Sequence, residues 1–267
     1  METTGFRLQA PPQVANLGVG VHGTVHRVDD FLLPDLWQLH LYRYEAVLEV
    51  DGARHTIRPG RVSLIPPGTP VRYRYQGRSE HLYAHLREPD PAAGGAPTTI
   101  PVMQDAGAQT PVLTDLLQAA VTSWAAAPAR AAAEVWTALW RVAGLGRRSS
   151  SGTVRPHPAV EAAIAHVESH LAGPLTVQQV AAAAGVSHNH LTRLLREETG
   201  LTPVAYIRSR RMKRARHLLQ ESTLPITAVA SAVGIPDLQA FNKTCRRTLG
   251  APPRAVRGER ATGDVRL

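Results

Sequence analysis

The spacing of apolar residues changes its period once along the chain, and this change limits the folds that the sequence can adopt. Between residues 14 and 87, short runs such as Val71 to Tyr75 alternate apolar and charged side chains, which is the pattern of half-buried strands. From Thr110 onward, apolar residues recur every three or four positions, as on one face of a helix. The sequence therefore predicts an α+β protein of two domains, with strands first and helices after them.

Turn residues divide the first part into short strands. Asp51-Gly52 lies between VLEV and ARHTI, and this dipeptide favours the positive φ angles of a two-residue hairpin loop. Glycines and prolines also flank the strand pattern in PGRVSLIPPGTP. Short strands with turns at this spacing are typical of a sandwich or barrel. We predict a β-barrel over residues 1–100, with residues 88–101 forming a loop at its end.

Two amphipathic helices are predicted within residues 101–145. The first carries an apolar stripe from Leu113 to Trp124, and the second begins near Pro128. These stripes are consistent with packing on the barrel and equally with pairing across a homodimer. Residues 146–158 are rich in Gly, Ser and Arg and have no apolar period, so they predict a linker.

The last part, residues 159–260, repeats one arrangement of helix signals. Thr176 and Gln179 fit a capping box, and Ser187 fits the cap of a helix that ends at Gly200. A short helix, a tight turn and a longer helix then follow again, with the second long helix beginning near Asp237. The sequence predicts an all-α domain with two helix-turn-helix units.

The positive charge of the chain is concentrated in this helical part. Of the net charge of +9, residues 155–267 contribute 16 Lys and Arg against 8 Asp and Glu, whereas residues 1–154 hold 14 against 13. A basic domain joined to a nearly neutral one indicates that the basic domain binds a polyanion.

The helix that begins after Ser187 is rich in histidine, yet its spacing argues against a metal or nuclease site. His188 and His190 point about 200° apart at 3.6 residues per turn, so one ion cannot take both as ligands. The chain has a single cysteine, Cys245, which cannot form an internal disulfide or a thiolate metal site alone. We predict no catalytic residues, no metal site and no cofactor.

The polar face of the same helix suits contact with a nucleic acid. Asn189, Thr192 and Arg193 lie opposite its leucine face and can donate to phosphates and base edges. A solvated surface would explain one such helix. A second copy after Asp237, and the basic helix between the two, favour nucleic-acid binding.

The segments AGVSHNHLTRLLREETGLTPVAYIRSRRMKRARHLL and PITAVASAVGIPDLQAFNKTCRRTLGAPPRAVR resemble the DNA-binding domain of the AraC/XylS transcription regulators, from Val160 to Arg260. The resemblance implies that the base-reading residues are Asn189, Thr192, Arg193, Leu238, Gln239, Asn242 and Lys243. The basic residues expected to contact phosphates are Arg196, Arg210, Arg214, Arg246 and Arg247. Three positions depart from the family pattern: Ile235 follows Gly234 in place of a phenylalanine, Cys245 replaces a common aromatic, and Leu238 takes a position that is often polar.

The N-terminal part resembles the cupin-like sensor domain of the same family more loosely, through PGRVSLIPPGTP. Cupin enzymes frequently have a metal-binding histidine where this chain has Val71, which argues against a metal. The resemblance implies a pocket for a small-molecule effector, and ordinary strand packing is the alternative for each candidate residue. The candidates are His40, Tyr42, Tyr44, His81, Tyr83 and His85.

Together these features predict a sequence-specific DNA-binding transcription regulator without enzymatic activity, controlled by an effector at a cupin-like barrel. Its expected partners are double-stranded DNA, a small-molecule effector, a second copy of the chain and, for an activator, RNA polymerase. The start of the chain lacks the pattern of a signal peptide, and no run approaches ~20 apolar residues, so we expect a cytoplasmic location without membrane contact. Two rivals stay open: an architectural DNA binder whose barrel only dimerises, and a cupin-type metalloenzyme with a DNA-binding appendage.

Overall fold

The computed structural model describes residues 2–90, 95–148 and 157–263, and the chain divides into two compact units, Met1–Arg155 and Pro156–Leu267. The first unit is rich in strands and the second is helical. The predicted fold class, with an N-terminal β-rich part and a C-terminal helical part, is confirmed.

The first unit, called the β-rich unit below, contains eleven described strands followed by two helices. The strands are β1 (Thr3–Phe6), β2 (Gln13–His22), β3 (Val28–Phe31), β4 (Trp37–Tyr42), β5 (Ala46–Val50), β6 (Ala53–Ile57), β7 (Arg61–Ile65), β8 (Val71–Tyr75), β9 (Ser79–Arg87), β10 (Thr98–Pro101) and β11 (Met103–Asp105). The helices are α1 (Thr110–Ser123) and α2 (Pro128–Arg148).

These strands form two main antiparallel sheets and one small one. The larger sheet has the strand order β11-β7-β4-β9-β2, the second has the order β3-β8-β5-β6, and β1 pairs with β10. The hairpin predicted at Asp51-Gly52 is confirmed, since both residues have positive φ angles, 46° and 83°, and join β5 to β6.

The five-stranded sheet is the middle layer of the β-rich unit. One of its faces packs against α1 and α2, where Leu39 and Leu82 share a core with Val135. The other face packs against the four-stranded sheet, where Tyr42 shares a core with Leu48. The helical pair therefore packs on the strands, which was one of the two arrangements left open by the sequence.

Two sequence predictions about connecting segments need correction. The loop predicted for residues 88–101 contains β10, and strand structure continues through β11 to Asp105. β10 pairs with β1, which lies more than 90 residues earlier in the sequence, and the composition near β10 carries no signal of such a distant partner. Within the linker predicted for residues 146–158, α2 extends to Arg148 and a helix begins at Pro158, while residues 149–156 lie outside the described residues.

The second unit, called the helical unit below, consists of helices in the described residues. Within it one arrangement occurs twice, and each copy begins with a short helix. Its helices are α3 (Pro158–His170), α4 (Val177–Ala183), α5 (His188–Thr199), α6 (Pro203–Glu221), α7 (Ile226–Ala232), α8 (Leu238–Leu249) and α9 (Pro253–Gly263). The predicted pairs α4–turn–α5 and α7–turn–α8 are present. Among the described residues, no helix has both the length and the apolar character needed to cross a bilayer.

The caps predicted for the helical unit are confirmed. Thr176 and Gln179 form a reciprocal capping box before α4. The hydroxyl of Ser187 accepts a hydrogen bond from the backbone N–H of His190, and Gly200 ends α5 with a φ angle of 74°. Local sequence therefore fixes where α5 starts and stops.

Helix α6 joins two separate apolar cores in the helical unit. Its first turns, through Tyr206 and Ile207, pack with the leucines of α5. Its later turns, through Met212 and Ala215, pack with Phe241 of α8. The two helix-turn-helix units are thus held by one continuous helix.

A buried ion pair fixes α6 against α3. Arg210 donates from Nε to Glu168 Oε1 at 2.6 Å and from Nη2 to Glu168 Oε2 at 3.1 Å. Glu168 is 2% exposed. The next residue, Arg211, donates to the carbonyl oxygens of Leu171 at 3.1 Å and Gly173 at 2.6 Å. Two adjacent arginines of α6 therefore bind the end of α3 and the turn that follows it.

Replacing Glu168 with Gln is expected to lower the free energy of unfolding of the helical unit by about 3 kcal/mol, because the buried Arg210 guanidinium would lose its counter-charge. The measurement is urea unfolding of the full chain by far-ultraviolet circular dichroism. Tryptophan fluorescence gives an internal reference, since all four tryptophans lie in the β-rich unit and their transition should not move.

The double variant Glu168→Leu/Arg210→Met tests the cause of this loss. Removing both charges leaves no buried ion, so it should recover most of the lost stability. Equal destabilisation of the single and double variants would show that packing, and not the unpaired charge, accounts for the effect.

Candidate functional site

Helix α5 presents one polar face outward and one apolar face to the core. Leu191, Leu194 and Leu195 are buried. Asn189 and Arg193 are exposed, as is Arg196 in the next turn. Thr192 is half-buried, and its hydroxyl donates to the carbonyl of His188 at 2.9 Å. The three predicted base readers of α5 thus share one side of the helix.

Arg193 is held in an ion pair with Glu197 one turn further along α5. Its Nη1 lies 3.0 Å from Glu197 Oε1, and both side chains are more than half exposed. Exposed pairs at this spacing contribute about 0.5 kcal/mol or less, so the guanidinium can leave Glu197 at little cost. Sequence reasoning passed over Glu197, although its spacing of four residues from Arg193 was a usable signal.

Helix α8 repeats this one-sided arrangement with a more apolar start. Phe241 and Cys245 are buried. Leu238 is 45% exposed, and Asn242 is half-buried with its Oδ1 buried and without a hydrogen-bond partner among the described groups. The remaining predicted contact residues of α8 are exposed: Gln239, Lys243, Arg246 and Arg247.

The structure places Arg210, one of the predicted phosphate contacts, inside the helical unit with its side chain 11% exposed, which leaves little of it available to a phosphate. Its guanidinium is engaged with Glu168 inside the unit, as described above, and is nearly buried. Arg214 is half-buried. The exposed basic side chains of α6 include Arg208 and Arg216, which the sequence analysis did not single out.

A separate cavity of about 350 Å³ opens in the β-rich unit. Four of the six predicted pocket residues line it, whereas Tyr42 and Tyr44 do not. Tyr42 is fully buried, with its hydroxyl 2.8 Å from Ser63 Oγ. The lining residues are Val19, Gly20, Val21, His22, Phe31, Leu33, Gln38, His40, Tyr73, Tyr75, His81, Tyr83 and His85.

Strand pairing explains why these rings lie together. β4 and β9 are neighbours, so His40 lies across from Tyr83 and Gln38 across from His85, all on one sheet face. On the other side of β9, Gly20 of β2 lies across from His81. A Cβ atom at Gly20 would lie 2.7 Å from His81 Cε1, so the missing side chain makes room for the imidazole.

Five further ring or amide residues of the wall were missed by sequence reasoning: His22, Phe31, Gln38, Tyr73 and Tyr75. Tyr73 and Tyr75 alternate with arginines, and that period was visible, but the approach of Tyr73 to His40 depends on the packing of one sheet on the other. Gln38 lies two residues before His40 on β4, so the alternation of the strand could have predicted that both side chains face the cavity. His22 stacks on Tyr75 with ring centroids 5.7 Å apart, and nothing in the local sequence indicated this contact.

Burial keeps three histidines of the cavity wall, His40, His81 and His85, uncharged near neutral pH. Burial lowers the pKa of His40 well below its usual value, and its Nδ1 lies 2.9 Å from the Tyr73 hydroxyl. Burial, and after it the neighbouring His22 and His85, lower the pKa of His81 to about 3. Burial also lowers the pKa of His85. Within the described residues, no group of three or more His, Cys, Asp or Glu side chains is arranged to hold a metal ion.

Comparison with known proteins identifies relatives of the helical unit. The family described as "Helix-turn-helix domain" matches residues 180–259. The multiple antibiotic resistance protein MarA of Escherichia coli strain K12 is 33% identical over 101 residues, which are 38% of this chain and 80% of MarA.

Other relatives are matched over a smaller share of their length. The xylose operon regulatory protein of Escherichia coli strain K12 is 32% identical over 111 residues, which are 42% of this chain and 28% of that protein. A crystal structure of an AraC-type transcriptional regulator from Chromobacterium violaceum is also similar, with 32% sequence identity and a TM-score of 0.37. The match covers 39% of this chain and 93% of the chain in that structure.

The stability of the β-rich unit is expected to fall as the pH drops below about 6.5, the usual pKa of histidine in an unfolded chain. The folded-state pKa values of His40, His81 and His85 lie below that value, so the unfolded chain binds more protons in acid. A histidine that stays neutral down to about pH 5, as His81 does, lowers the free energy of unfolding by about 2 kcal/mol at that pH and by almost nothing above about pH 7.5. Thermal unfolding followed by tryptophan fluorescence from about pH 8 to about pH 5 measures this decline.

A matched pair of variants assigns the pH effect to the cavity. His81→Gln removes one buried imidazole and should make the decline with pH shallower. His26→Gln removes an exposed imidazole and should leave the slope unchanged. Identical slopes in both variants would contradict the assignment.

Proposed function

This chain belongs to the AraC/XylS family of transcription regulators, and from that premise we propose that it is a sequence-specific DNA-binding regulator whose helical unit contacts the DNA. The observation that carries the proposal is the pair of capped helices, α5 and α8, each with a buried apolar face and a polar outward face. The chain matches only 28% of the length of the xylose operon regulatory protein, so the function of the whole chain is a proposal that the experiments below test.

In this proposal α5 and α8 enter successive segments of the major groove of one duplex, about one helical turn (~34 Å) apart. Asn189, Thr192 and Arg193 face the bases from α5. Leu238, Gln239, Asn242 and Lys243 do so from α8. Arg196, Arg214, Arg246 and Arg247 neutralise phosphates and supply affinity without sequence preference.

The exposed Arg193–Glu197 pair is compatible with base contact. Because the pair is weak, Arg193 can exchange the carboxylate for the O6 and N7 atoms of a guanine. Leu238 has no hydrogen-bonding group, so its contribution in α8 is an apolar contact with a thymine methyl group.

The β-rich unit is the proposed site of control by a small-molecule effector, and its cavity supports this role because its size and mixed lining are those of small-molecule pockets. An effector regulates only if its affinity differs between two states of the protein. The proposal includes a homodimer, RNA polymerase as a partner if the protein activates, a cytoplasmic location, and no enzymatic activity.

Selection of binding sites from random duplex DNA by the full-length protein, at about 50 and 200 mM salt, tests the DNA-binding proposal. A regulator should enrich a bipartite motif with half-sites one turn apart. Salt-sensitive binding that enriches no motif would instead favour an architectural binder.

Arg193→Ala is expected to weaken binding to the selected site by about 1 to 3 kcal/mol and to relax preference at one base position, because a bidentate contact is lost. Affinity for random duplex DNA should change much less. Fluorescence anisotropy with both duplexes measures the difference.

Arg54→Ala is the matched control for this substitution. Arg54 is also an exposed arginine in an ion pair with a glutamate, but it lies on β6 of the β-rich unit. It should leave both affinities unchanged. Equal losses by Arg193→Ala on selected and random DNA would reduce Arg193 to a phosphate contact.

A further inference from the structure

The cavity of the β-rich unit has a chemical character that narrows the class of ligand it can hold. We infer that its ligand is an uncharged, flat ring compound with one or two hydroxyl or carbonyl oxygens, such as a phenol or a hydroxylated aromatic amide. A carboxylate or a monosaccharide does not fit the same wall. This inference deepens the effector role proposed above and rests on it.

The described wall of the cavity has no permanently charged side chain to pair with a charged ligand. Among the described residues that line the cavity there is no Asp, Glu, Lys or Arg. The imidazoles of His40 and His81 are neutral near pH 7 because burial lowers their pKa values. A carboxylate would lose its hydration without gaining a cation, which is strongly unfavourable, so an uncharged ligand is favoured.

Several rings of the wall lie parallel to one another. Tyr73 and Tyr75 have ring centroids 5.8 Å apart and planes 7° apart. His22 stacks on Tyr75 at 5.7 Å and 12°, and on His81 at 5.5 Å and 18°. Within this row the faces of Tyr75 and His22 are covered by neighbouring rings. A flat aromatic ring packs edge to face against such a row, so the wall favours a planar ligand.

Two buried polar atoms of the wall lack a partner within the described part of the chain. They are the side-chain nitrogen of Gln38, a residue 2% exposed, and Nδ1 of His81, a residue 5% exposed. The Gln38 nitrogen is a donor and suits a ligand oxygen, whereas Nδ1 of His81 donates or accepts according to its tautomer and suits a hydroxyl group. Either contact would remove the cost of a buried polar atom without a partner. Two such atoms match one or two oxygens on the ligand.

The apolar part of the wall argues against a monosaccharide. Phe31 and Leu33 line the cavity together with the rings. A monosaccharide carries hydroxyl groups around its whole ring, and those facing Phe31 and Leu33 would be desolvated without a hydrogen bond. An aromatic ring with its oxygens at one edge satisfies the polar atoms and leaves its apolar edge for these side chains.

Isothermal titration of the full-length protein near neutral pH tests the ligand class. The probes are para-hydroxybenzamide and para-hydroxybenzoate, which differ chiefly in charge, together with xylose and glucose. We expect para-hydroxybenzamide to bind, para-hydroxybenzoate to bind about tenfold more weakly or not at all, and the sugars not to bind.

Variants then locate the binding to the cavity. Gln38→Leu should weaken para-hydroxybenzamide by about tenfold, because an N–H donor is lost. Gln13→Leu, the same change at an exposed position of β2, should leave binding unchanged. Gly20→Ala provides a second test, since its Cβ would push the His81 ring into the cavity and reduce binding.

Each other outcome overturns a defined part of the argument. Tighter binding of para-hydroxybenzoate or of a sugar overturns the ligand class and leaves the effector role standing. Equal binding by the Gln38→Leu and Gln13→Leu variants overturns the site. If none of the probes binds, the inference fails, and the DNA selection, which needs no ligand, shows independently whether the regulatory function stands.

Discussion

Helix α6 is the element on which the geometry of the helical unit depends, because both apolar cores of that unit include its side chains. Its position is fixed on one side by the buried Arg210–Glu168 pair and the hydrogen bonds of Arg211. Misplacing α6 would shift α5 relative to α8, and hence the spacing of two surfaces proposed to read one duplex. We therefore interpret the buried pair as a device for unique placement, since an apolar pair can stabilise equally well but demands no single geometry.

A different constraint organises the β-rich unit, where β4 and β9 serve two purposes at once. Leu39 and Leu82 of these strands face the helices, while His40 and His81 face the cavity. A slip of one residue in the register would exchange these two sets, burying imidazoles under α2 and lining the cavity with leucines. The hydrophobic core thus also determines which side chains a ligand meets.

Features that depend on neighbouring residues could be predicted from the sequence. The capping box at Thr176, the cap at Ser187 and the hairpin at Asp51-Gly52 are local and were all predicted correctly. Features that depend on distant partners could not: β10 needs β1, and Arg210 needs Glu168 from another helix. The cavity combines both kinds of feature. The alternation along β4 and β9 predicts which rings share a face of the sheet, but it does not predict which rings of β8 approach them.

The layered arrangement of the β-rich unit gives a ligand a short mechanical route to the helices. In the proposed regulation, a ligand oxygen bound at Gln38 or His81 would act on β4 or β9, and the opposite faces of those strands contact the core that contains Val135 of α2. Only one layer of backbone separates the cavity from α1 and α2. Because the core between the strands and the helices is closely packed, it resists compression. If the strands shift, the helices must shift with them, or the resulting strain weakens ligand binding. An effector that binds more tightly to one position of the strands would therefore also favour one position of the helices. Its affinity would then differ between two states of the protein, as regulation requires.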